Sequence, residues 1–133
     1  MSISVRKSLE SETVVVHRLR ESAAAESARY RGHIDQDARA AEHAVVLVDD
    51  EVVGALGYVD EGSVRDITFV HVHPDARGVG AGDALLAWVL ADAGTRGISS
   101  LRGTALPGDR ATKNLFERNG LVARVIGVER TLD

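Results

Sequence analysis

Apolar residues in the first half of the chain form short runs that are typical of β-strands. Residues 3–6 alternate briefly between apolar and polar, which predicts an edge strand. Runs rich in β-branched residues, at 44–48 and 52–59, lie on either side of an acidic turn at 49–51. Two such runs around a short turn predict a β-hairpin.

Residues 11–30 contain neither glycine nor proline, and acidic residues precede basic ones along this segment. This order of charge and the absence of helix breakers favour a helix. Val15, Leu19 and Ala23 share one side without forming a clean stripe, so one long helix and two short ones both fit. The polar, alanine-rich residues 34–42 predict either a short helix or an ordered loop.

The alternation of apolar residues changes phase within residues 64–73. Ile67 and Phe69 would occupy one face of a strand, whereas Val70 and Val72 would occupy the other. A β-bulge between Phe69 and Val70 would produce this shift. A regular strand buried on both faces would also explain it, and the pattern alone leaves both alternatives open.

Beyond residue 82 the pattern predicts a helix, a short strand, a second helix and a final strand, over residues 83–93, 98–104, 110–118 and 121–129. Asp109 is a suitable N-cap for the second of these helices, and Gly120 a suitable residue to end it. Trp88 lies among leucines and valine in the first helix, which predicts a core residue.

Length, composition and net charge limit the classes of protein to which this chain can belong. With 133 residues, 44% of them apolar and 27% charged, the chain is expected to form one globular domain over residues 1–133. No apolar run approaches the roughly 20 residues of a membrane helix, and residues 1–7 lack the apolar stretch of a secretory signal. We therefore expect a cytoplasmic protein without a membrane partner. A net charge of −4 without a basic block argues against nucleic acid.

Chemistry that uses a cysteine sulfur of the protein is excluded, because the chain has no cysteine to supply a disulfide, a thiolate nucleophile or a thiolate metal ligand. His17, His33 and His43 are scattered, and no pair of them, with each other or with Asp or Glu, has the spacing of a metal-binding helix. No metal is expected.

The sequence His-Pro-Asp-Ala-Arg-Gly-Val-Gly-Ala-Gly at residues 73–82, which we call the glycine loop, connects an apolar strand to a helix. Glycines allow close approach of the backbone to a ligand, and the first N–H groups of a helix attract anions. We therefore expect the glycine loop to bind a pyrophosphate group. The loop lacks the Lys and Ser or Thr of an ATP-binding loop, and it matches a dinucleotide fingerprint poorly.

The segment from Val72 to Leu86 resembles the coenzyme A motif of the GNAT superfamily of acyl-CoA N-acyltransferases, usually written Arg/Gln-x-x-Gly-x-Gly/Ala. Arg77, Gly80 and Gly82 occupy its defining positions. The segment Leu-Phe-Glu-Arg-Asn-Gly-Leu at 115–121 resembles a second motif of the family, in which a helix ends in Gly-Phe. The similarity covers roughly residues 44–132. It implies an α/β (α+β) fold: a mixed, mostly antiparallel sheet of about six strands, flanked by helices, with a bulged fourth strand.

The resemblance also implies an activity, the transfer of an acetyl group from acetyl-CoA to a primary amine of a small molecule or peptide. It implies coenzyme contacts from the bulged strand, the glycine loop and the second helix, at Val70, His71, Val72, Arg77, Gly78, Val79, Gly80, Ala81, Gly82 and Asn114. Backbone N–H groups near residues 70–72 would polarise the thioester carbonyl. Arg77 could contact the anion through its guanidinium or, as we expect, through its backbone N–H. A solvated helix face explains Asn114 and its neighbour Lys113 equally well.

The transfer needs a base, because an amine with a pKa of about 10 must lose a proton before it attacks. Several members of the family place a glutamate six residues before the position of Val72, and Asp66 stands there in this chain. We expect Asp66 to act through water, since its side chain is one methylene shorter; a solvent-facing aspartate is the alternative. His71 is the second candidate base, although His71 and His73 could equally be surface residues.

Two features depart from the family. Phe116 stands where many members have a tyrosine that protonates the leaving thiolate, and a phenyl ring has no proton to give. Only 13 residues follow Gly120, so either the acceptor side is unusually open or a second subunit completes it, as in a homodimer. A catalytically degenerate acyl-CoA-binding sensor or interaction module is therefore the alternative function. Replacing Phe116 with Tyr would either raise turnover or, if the ring is a core residue, only cost stability.

Overall fold

The computed structural model describes residues 1–30, 32 and 39–132. This part of the chain contains five strands and three α-helices, in the order β1 (Ile3–Lys7), α1 (Thr13–Ser27), β2 (Glu42–Val48), β3 (Glu51–Glu61), β4 (Val64–Val72), α2 (Ala81–Thr95), β5 (Ser100–Arg102) and α3 (Arg110–Arg118). Short 3-10 turns at Glu10–Glu12 and Pro74–Ala76 precede α1 and α2. The predicted N-terminal helical segment is thus a single helix.

The strands form one sheet in the order β1-β2-β3-β4-β5. The first three pairs are antiparallel and the last is parallel. The predicted hairpin is β2 and β3, and its turn residues Asp49 and Asp50 both have positive φ angles, 48° and 68°, as tight hairpin turns require. The predicted α/β class and mixed, mostly antiparallel sheet are confirmed, with five strands in the described residues where about six were expected.

Helices cover both faces of this sheet. Helices α2 and α3 pack on one face, where the core consists of Ala44, Val46, Leu56, Tyr58, Ala81, Leu85, Leu86, Val89 and Phe116. Helix α1 packs on the other face, against a smaller cluster of Val16, Leu19, Val45, Leu47 and Ala55. Trp88 is half-buried against the larger cluster, as predicted. The two layers leave the carboxyl end of β4 and the start of α2 at one end of the sheet.

A β-bulge interrupts β4, as the sequence predicted, but earlier than expected. Gly57 pairs with Phe69 and Tyr58 pairs with Ile67, so Thr68 is the extra residue. Ile67 therefore lies with Val70 and Val72 on the α2 face, and Phe69 packs on the α1 face. The predicted position between Phe69 and Val70 was wrong. Both faces of β4 are covered by helices, so an apolar residue can lie on either face and does not by itself locate the bulge.

Arg65 joins β4 to α2 in the interior. Its side chain is fully buried, and its Nε and Nη2 donate to the two carboxylate oxygens of Asp60 at 2.7 and 2.8 Å. Its Nη1 donates to the carbonyl of Val89 in α2 at 2.9 Å, and the guanidinium stacks 4.2 Å from the centre of the Tyr58 ring. Burial raises the pKa of Tyr58 to about 12. This network fixes how α2 sits on the strand that leads into the glycine loop.

The final strand predicted at residues 121–129 is absent from the described structure. Residues 121–132 carry no regular structure, and their last backbone hydrogen bond to the rest of the chain runs from Leu121 N to Phe116 O, 3.0 Å. Their β-branched residues suit a strand, but a strand also needs a neighbour to pair with. The predicted helix or loop at 34–42 falls mostly on residues 34–38, outside the described residues. No helix in the described ranges is long and apolar enough to cross a membrane.

Candidate active site

The glycine loop takes up a backbone conformation that needs its glycines. Gly78 and Gly80 have φ angles of +83° and +88°, in the left-handed region that side chains disfavour. A Cβ built on either residue meets no atom within 4 Å. The loop therefore presents an open, side-chain-free surface directly before α2, as a close-fitting anion would require.

Helix α2 begins against this surface, with Gly80 as its N-cap residue. The N–H groups of its first turn have no partner within the helix and carry the positive end of the helix dipole. The first hydrogen bond back to the cap runs from Ala84 N to Gly80 O, at 3.0 Å. The glycine loop thus has the geometry of an anion site at a helix N-terminus, as predicted from sequence.

Helix α3 supports the start of α2 through contacts that the sequence did not reveal. A Cβ on Gly82 would lie 3.3 Å from Leu115 Cδ1, so the two helices are close at this point. Asp83 accepts hydrogen bonds from Arg118 Nε at 3.3 Å and Asn119 Nδ2 at 3.0 Å. Because Arg118 offsets its charge, the acid in the first turn of α2 opposes an incoming anion less.

Strand β4 has a free edge that leads to the glycine loop. Among the described residues, β4 pairs with β5 only where Val64–Asp66 lie beside Ser100–Arg102. From Ile67 to Val72 the strand has β3 on one side and none of the other described strands on the other side. Backbone groups along this edge, including those of Val70 and the N–H of Val72, are therefore available to a ligand that extends from the glycine loop, whereas the Val72 carbonyl already accepts a hydrogen bond from Arg77 Nε.

Asp66 lies at the point where β4 and β5 separate, opposite Val59 and Arg102. Since Arg65 points to the α2 side, Asp66 points to the α1 side, as neighbours in a strand do. Its carboxylate lies 3.2 Å from Arg39 Nη2, and the side chain is 29% exposed. Asp66, the first candidate base, thus lies where β4 and β5 separate and is partly exposed to solvent.

His71 lies further along β4, buried beneath the end of α1. Its Nδ1 is 4.0 Å from Glu26 Oε2, and its side chain is only 4% exposed. Burial lowers the pKa of His71 below its usual value, the Glu26 carboxylate partly opposes this, and Arg77 and His73 add to it. His71 is consequently a neutral imidazole at neutral pH, and it is not the surface residue that the sequence left open. His73 is the more exposed of the two, and its Nδ1 accepts a hydrogen bond from Asp75 N at 3.2 Å.

Arg77 of the glycine loop turns its guanidinium towards the same carboxylate. Its Nη2 lies 2.5 Å from Glu26 Oε1, and its Nε donates to Val72 O at 2.9 Å. Glu26 therefore joins α1, β4 and the glycine loop. Sequence reasoning missed Glu26, because it is 45 and 51 positions away from the residues that it contacts and belongs to no local motif.

The remaining predicted residues divide between surface and core. Asn114 and Lys113 are exposed on α3, and Lys113 Nζ pairs with Glu117 at 3.3 Å. Phe116 is buried in the larger core cluster. A Cβ on Gly103 would lie 2.7 Å from the tip of its ring. The ring thus fills the space between α3 and the chain that follows β5.

Two of the cavities in the described part of the chain lie outside the glycine loop. One, of about 310 Å³, lies between α1, the preceding 3-10 turn and β2, and is lined by Ser8, Leu9, Thr13, Val16, His17, Arg20 and His43. The other, of about 370 Å³, lies between the end of α1 and the loop before α3, at Arg29, Tyr30, Pro107 and Gly108. In the described ranges, no group of three or more His, Asp or Glu side chains is arranged to hold a metal ion.

Several solved structures share this architecture. A ribosomal-protein-alanine N-acetyltransferase from Brucella melitensis biovar Abortus 2308 is 22% identical, with a TM-score of 0.77 over 99% of this chain and 100% of its own. AAC(6')-Iy, an aminoglycoside N-acetyltransferase solved with a coenzyme A bisubstrate analogue, is 16% identical, with a TM-score of 0.73. The match covers 99% of this chain and 100% of the AAC(6')-Iy chain. A transcriptional regulator from Bacillus halodurans C-125 is 23% identical, with a TM-score of 0.72, and the match covers 98% of this chain and 100% of the regulator.

No protein of curated function matches the sequence. The sequence pattern of the acetyltransferase (GNAT) family matches residues 8–121, most of the chain. That range contains the glycine loop, the bulged strand and α3, so the predicted resemblance is confirmed. The chain belongs to the GNAT family of acetyltransferases.

Proposed function

We propose that this protein transfers an acetyl group from acetyl-CoA to a primary amine of a small molecule or peptide. The observation that carries the proposal is the continuity of two features: the free edge of β4 ends at Val72, and the glycine loop and the start of α2 follow at once. An extended pantetheine arm can hydrogen-bond along a free strand edge, and its pyrophosphate can occupy a helix N-terminus. One ligand of this shape would use both features.

The local geometry fits coenzyme A. The open space beside Gly78 and Gly80 leaves room for a phosphate against the backbone. The guanidinium of Arg77 is engaged with Glu26 and Val72, which supports the expectation that Arg77 contributes its backbone N–H to the ligand. We assign coenzyme contacts to the backbone of residues 70–72 and 77–82. Asn114, exposed on α3, is a further contact in this proposal.

In the proposed reaction the amine nitrogen attacks the carbonyl carbon of the thioester. A C–N bond forms, the C–S bond breaks, and the thiolate leaves and takes up a proton. Backbone N–H groups near Val70 stabilise the negative charge that develops on the carbonyl oxygen. The proton lost by the amine passes to Asp66 through water, because this carboxylate lies partly exposed at the opening between β4 and β5. Phe116 has no proton to give, so we assign protonation of the thiolate to water.

Replacing Asp66 with Asn tests the base. We expect the rate at neutral pH to fall by about two to four orders of magnitude if Asp66 accepts the proton, with little change in affinity for acetyl-CoA. Asp50→Asn, in the β2–β3 turn, is the matched control and should leave both quantities unchanged. A pH–rate profile of Asp66→Asn that overlays the parent profile would transfer the role to His71, and His71→Gln would then be measured in the same way.

A second candidate is an acyl-CoA-binding module without turnover. The burial of Phe116, which leaves that position without a proton donor, favours it. Single-turnover transfer of the acetyl group to a panel of amines separates the two functions. The panel should include aminoglycosides and peptide amines, because structural neighbours carry those names, and also polyamines and amino acids. Transfer to any amine supports the enzyme; binding without transfer supports the module.

A further inference from the structure

Glu26 occupies a position that its own helix disfavours. It belongs to the last turn of α1, and no basic residue lies in that turn. The carbonyl end of a helix carries partial negative charge, so a carboxylate there is repelled. The contacts that favour this carboxylate must therefore lie elsewhere in the fold.

The main partner of Glu26 is Arg77 of the glycine loop. Glu26 Oε1 accepts a hydrogen bond from Arg77 Nη2 at 2.5 Å, and Glu26 Oε2 lies 4.0 Å from Nδ1 of the buried His71. The side chains of Glu26 and Arg77 are 31% and 44% exposed. A salt bridge as exposed as this one adds little to the stability of a fold. What the pair holds in place is therefore more important than the energy of the contact itself.

The pair holds the Arg77 guanidinium at the end of the free edge of β4. His73 N donates to Val53 O in β3 at 2.7 Å, and the backbone groups of successive residues in an antiparallel strand point to opposite sides. The N–H and C=O of Val72 therefore point away from β3, towards the free edge. Arg77 Nε donates to that carbonyl at 2.9 Å. The guanidinium thus occupies the place of a neighbouring strand's N–H, where the edge passes into the glycine loop.

Two contacts at different nitrogens fix the orientation of this guanidinium. Because the group is planar, bonds from Nε to Val72 and from Nη2 to Glu26 hold it at two points. Without the carboxylate of Glu26, the bond to Val72 would be its remaining hydrogen bond among the described residues, and the group could turn about it. Glu26 therefore controls how firmly Arg77 ties the end of the β4 edge to the glycine loop.

We propose that Glu26 is a positioning residue for coenzyme A, acting through Arg77 to fix the spacing between the β4 edge and the anion site of the glycine loop. This inference rests on the proposed function, in which pantetheine lies along β4 and the pyrophosphate lies on the loop. A ligand that spans both features binds best when their spacing is set before it arrives. A ligand that uses the loop alone does not need that spacing.

Calorimetric titration with two ligands tests this proposal: coenzyme A, and 3'-phospho-ADP, which keeps the pyrophosphate but lacks pantetheine. The affinity ratio, the dissociation constant of 3'-phospho-ADP divided by that of coenzyme A, measures what pantetheine contributes. Glu26→Gln should lower this ratio about three- to tenfold, the effect of one misplaced hydrogen-bonding group. Glu21→Gln is the matched control, because it removes the same charge from α1 at a side chain that is 67% exposed and pairs with His17. It should keep the parent ratio.

A double-mutant cycle shows whether Glu26 acts through Arg77. Arg77→Gln should lower the affinity ratio by a similar factor, and adding Glu26→Gln to that variant should change nothing further. In steady-state kinetics, Glu26→Gln should raise KM for acetyl-CoA and leave kcat unchanged, because the contact serves the ground state and the transition state equally. Two results would overturn the proposal: additive effects of the two substitutions, or an equal change in the affinity of both ligands for Glu26→Gln.

Hydrogen–deuterium exchange of the ligand-free proteins separates a failure of this proposal from a failure of the proposed function. In Glu26→Gln and in Arg77→Gln, peptides that cover residues 71–80 should exchange faster than in the parent, whereas Glu21→Gln should match the parent. Unchanged exchange in Glu26→Gln would overturn the positioning role, whatever the ligand does. A parent protein that binds no coenzyme A would contradict the proposed function, and the exchange result would still decide whether Glu26 positions the loop.

Discussion

At the scale of single residues, His71 has the most unusual environment of the candidate site. It is buried between β4 and α1, with the carboxylate of Glu26 4.0 Å away and the cationic Arg77 and His73 nearby. Burial outweighs the carboxylate, so the pKa of His71 lies below its ordinary value in the folded protein. The neutral form therefore contributes to folding, and protonation opposes it.

The sign of the resulting pH dependence follows from linkage. In the unfolded chain a histidine has a pKa of about 6.5, whereas the pKa of His71 in the folded protein is lower. At a pH between these two pKa values, the unfolded chain therefore binds more protons than the folded protein. The contribution of His71 to the free energy of unfolding is complete above about pH 6.5 and declines as the pH falls towards the folded pKa. We expect the parent to lose more stability on acidification than His71→Gln. Urea unfolding of the parent and of His71→Gln at a series of pH values below about 6.5 measures this difference in the free energy of unfolding. If the two free energies fell in parallel with pH, the environment described for His71 would be contradicted.

Phe116 is the residue whose role changes most once the structure is known. Its ring is buried and its tip lies against Gly103, so a hydroxyl added there would enter the core. We expect Phe116→Tyr to lower the free energy of unfolding by about 1 to 3 kcal/mol, the cost of burying an unpaired polar group, with unchanged turnover. Thermal melts and steady-state kinetics on one preparation measure both. A gain in turnover at unchanged stability would instead show that position 116 faces the leaving sulfur.

At the scale of elements, the bulge in β4 depends on Gly57 of β3. A Cβ on Gly57 would lie 2.5 Å from Thr68 Oγ1 and 2.8 Å from Phe69 Cε1. Thr68 is the extra residue, and the bulge brings both side chains over the neighbouring strand. A glycine at this position therefore permits the bulge, and the bulge in turn sets which side chains of β4 face α1.

Gly57→Ala should destabilise the protein by about 1 to 3 kcal/mol, as overpacking of a core does. Gly94→Ala is the control with the opposite sign: Gly94 lies in α2, and a Cβ there meets no atom within 4 Å. A glycine replaced by alanine in a helix gains about 0.5 to 1 kcal/mol. Urea denaturation of the two variants compares them directly. Equal stabilities would mean that Gly57 is not held against the bulge.

At the scale of the whole molecule, features encoded within a short stretch of sequence could be predicted, and those that depend on distant partners could not. The glycine loop was readable because Gly78 and Gly80 mark left-handed turns before a helix. The contact of Glu26 with Arg77 was not, because no local pattern joins α1 to the loop. The strand expected at 121–129 was wrong for the same reason: its residues favour a strand, but in the described structure no strand lies beside them to pair with.

The central claim, that the glycine loop and α2 bind the pyrophosphate of coenzyme A, is tested most directly by calorimetric titration of two glycine variants. Gly80→Val and Gly97→Val replace residues with similar positive φ angles, +88° and +71°, and a Cβ at either position meets no protein atom within 4 Å. Both variants carry a comparable backbone strain of about 1 to 2 kcal/mol, but only Gly80 borders the proposed ligand. The account predicts that Gly80→Val abolishes binding of coenzyme A while Gly97→Val retains the parent affinity. Parent affinity in a folded Gly80→Val protein would contradict it.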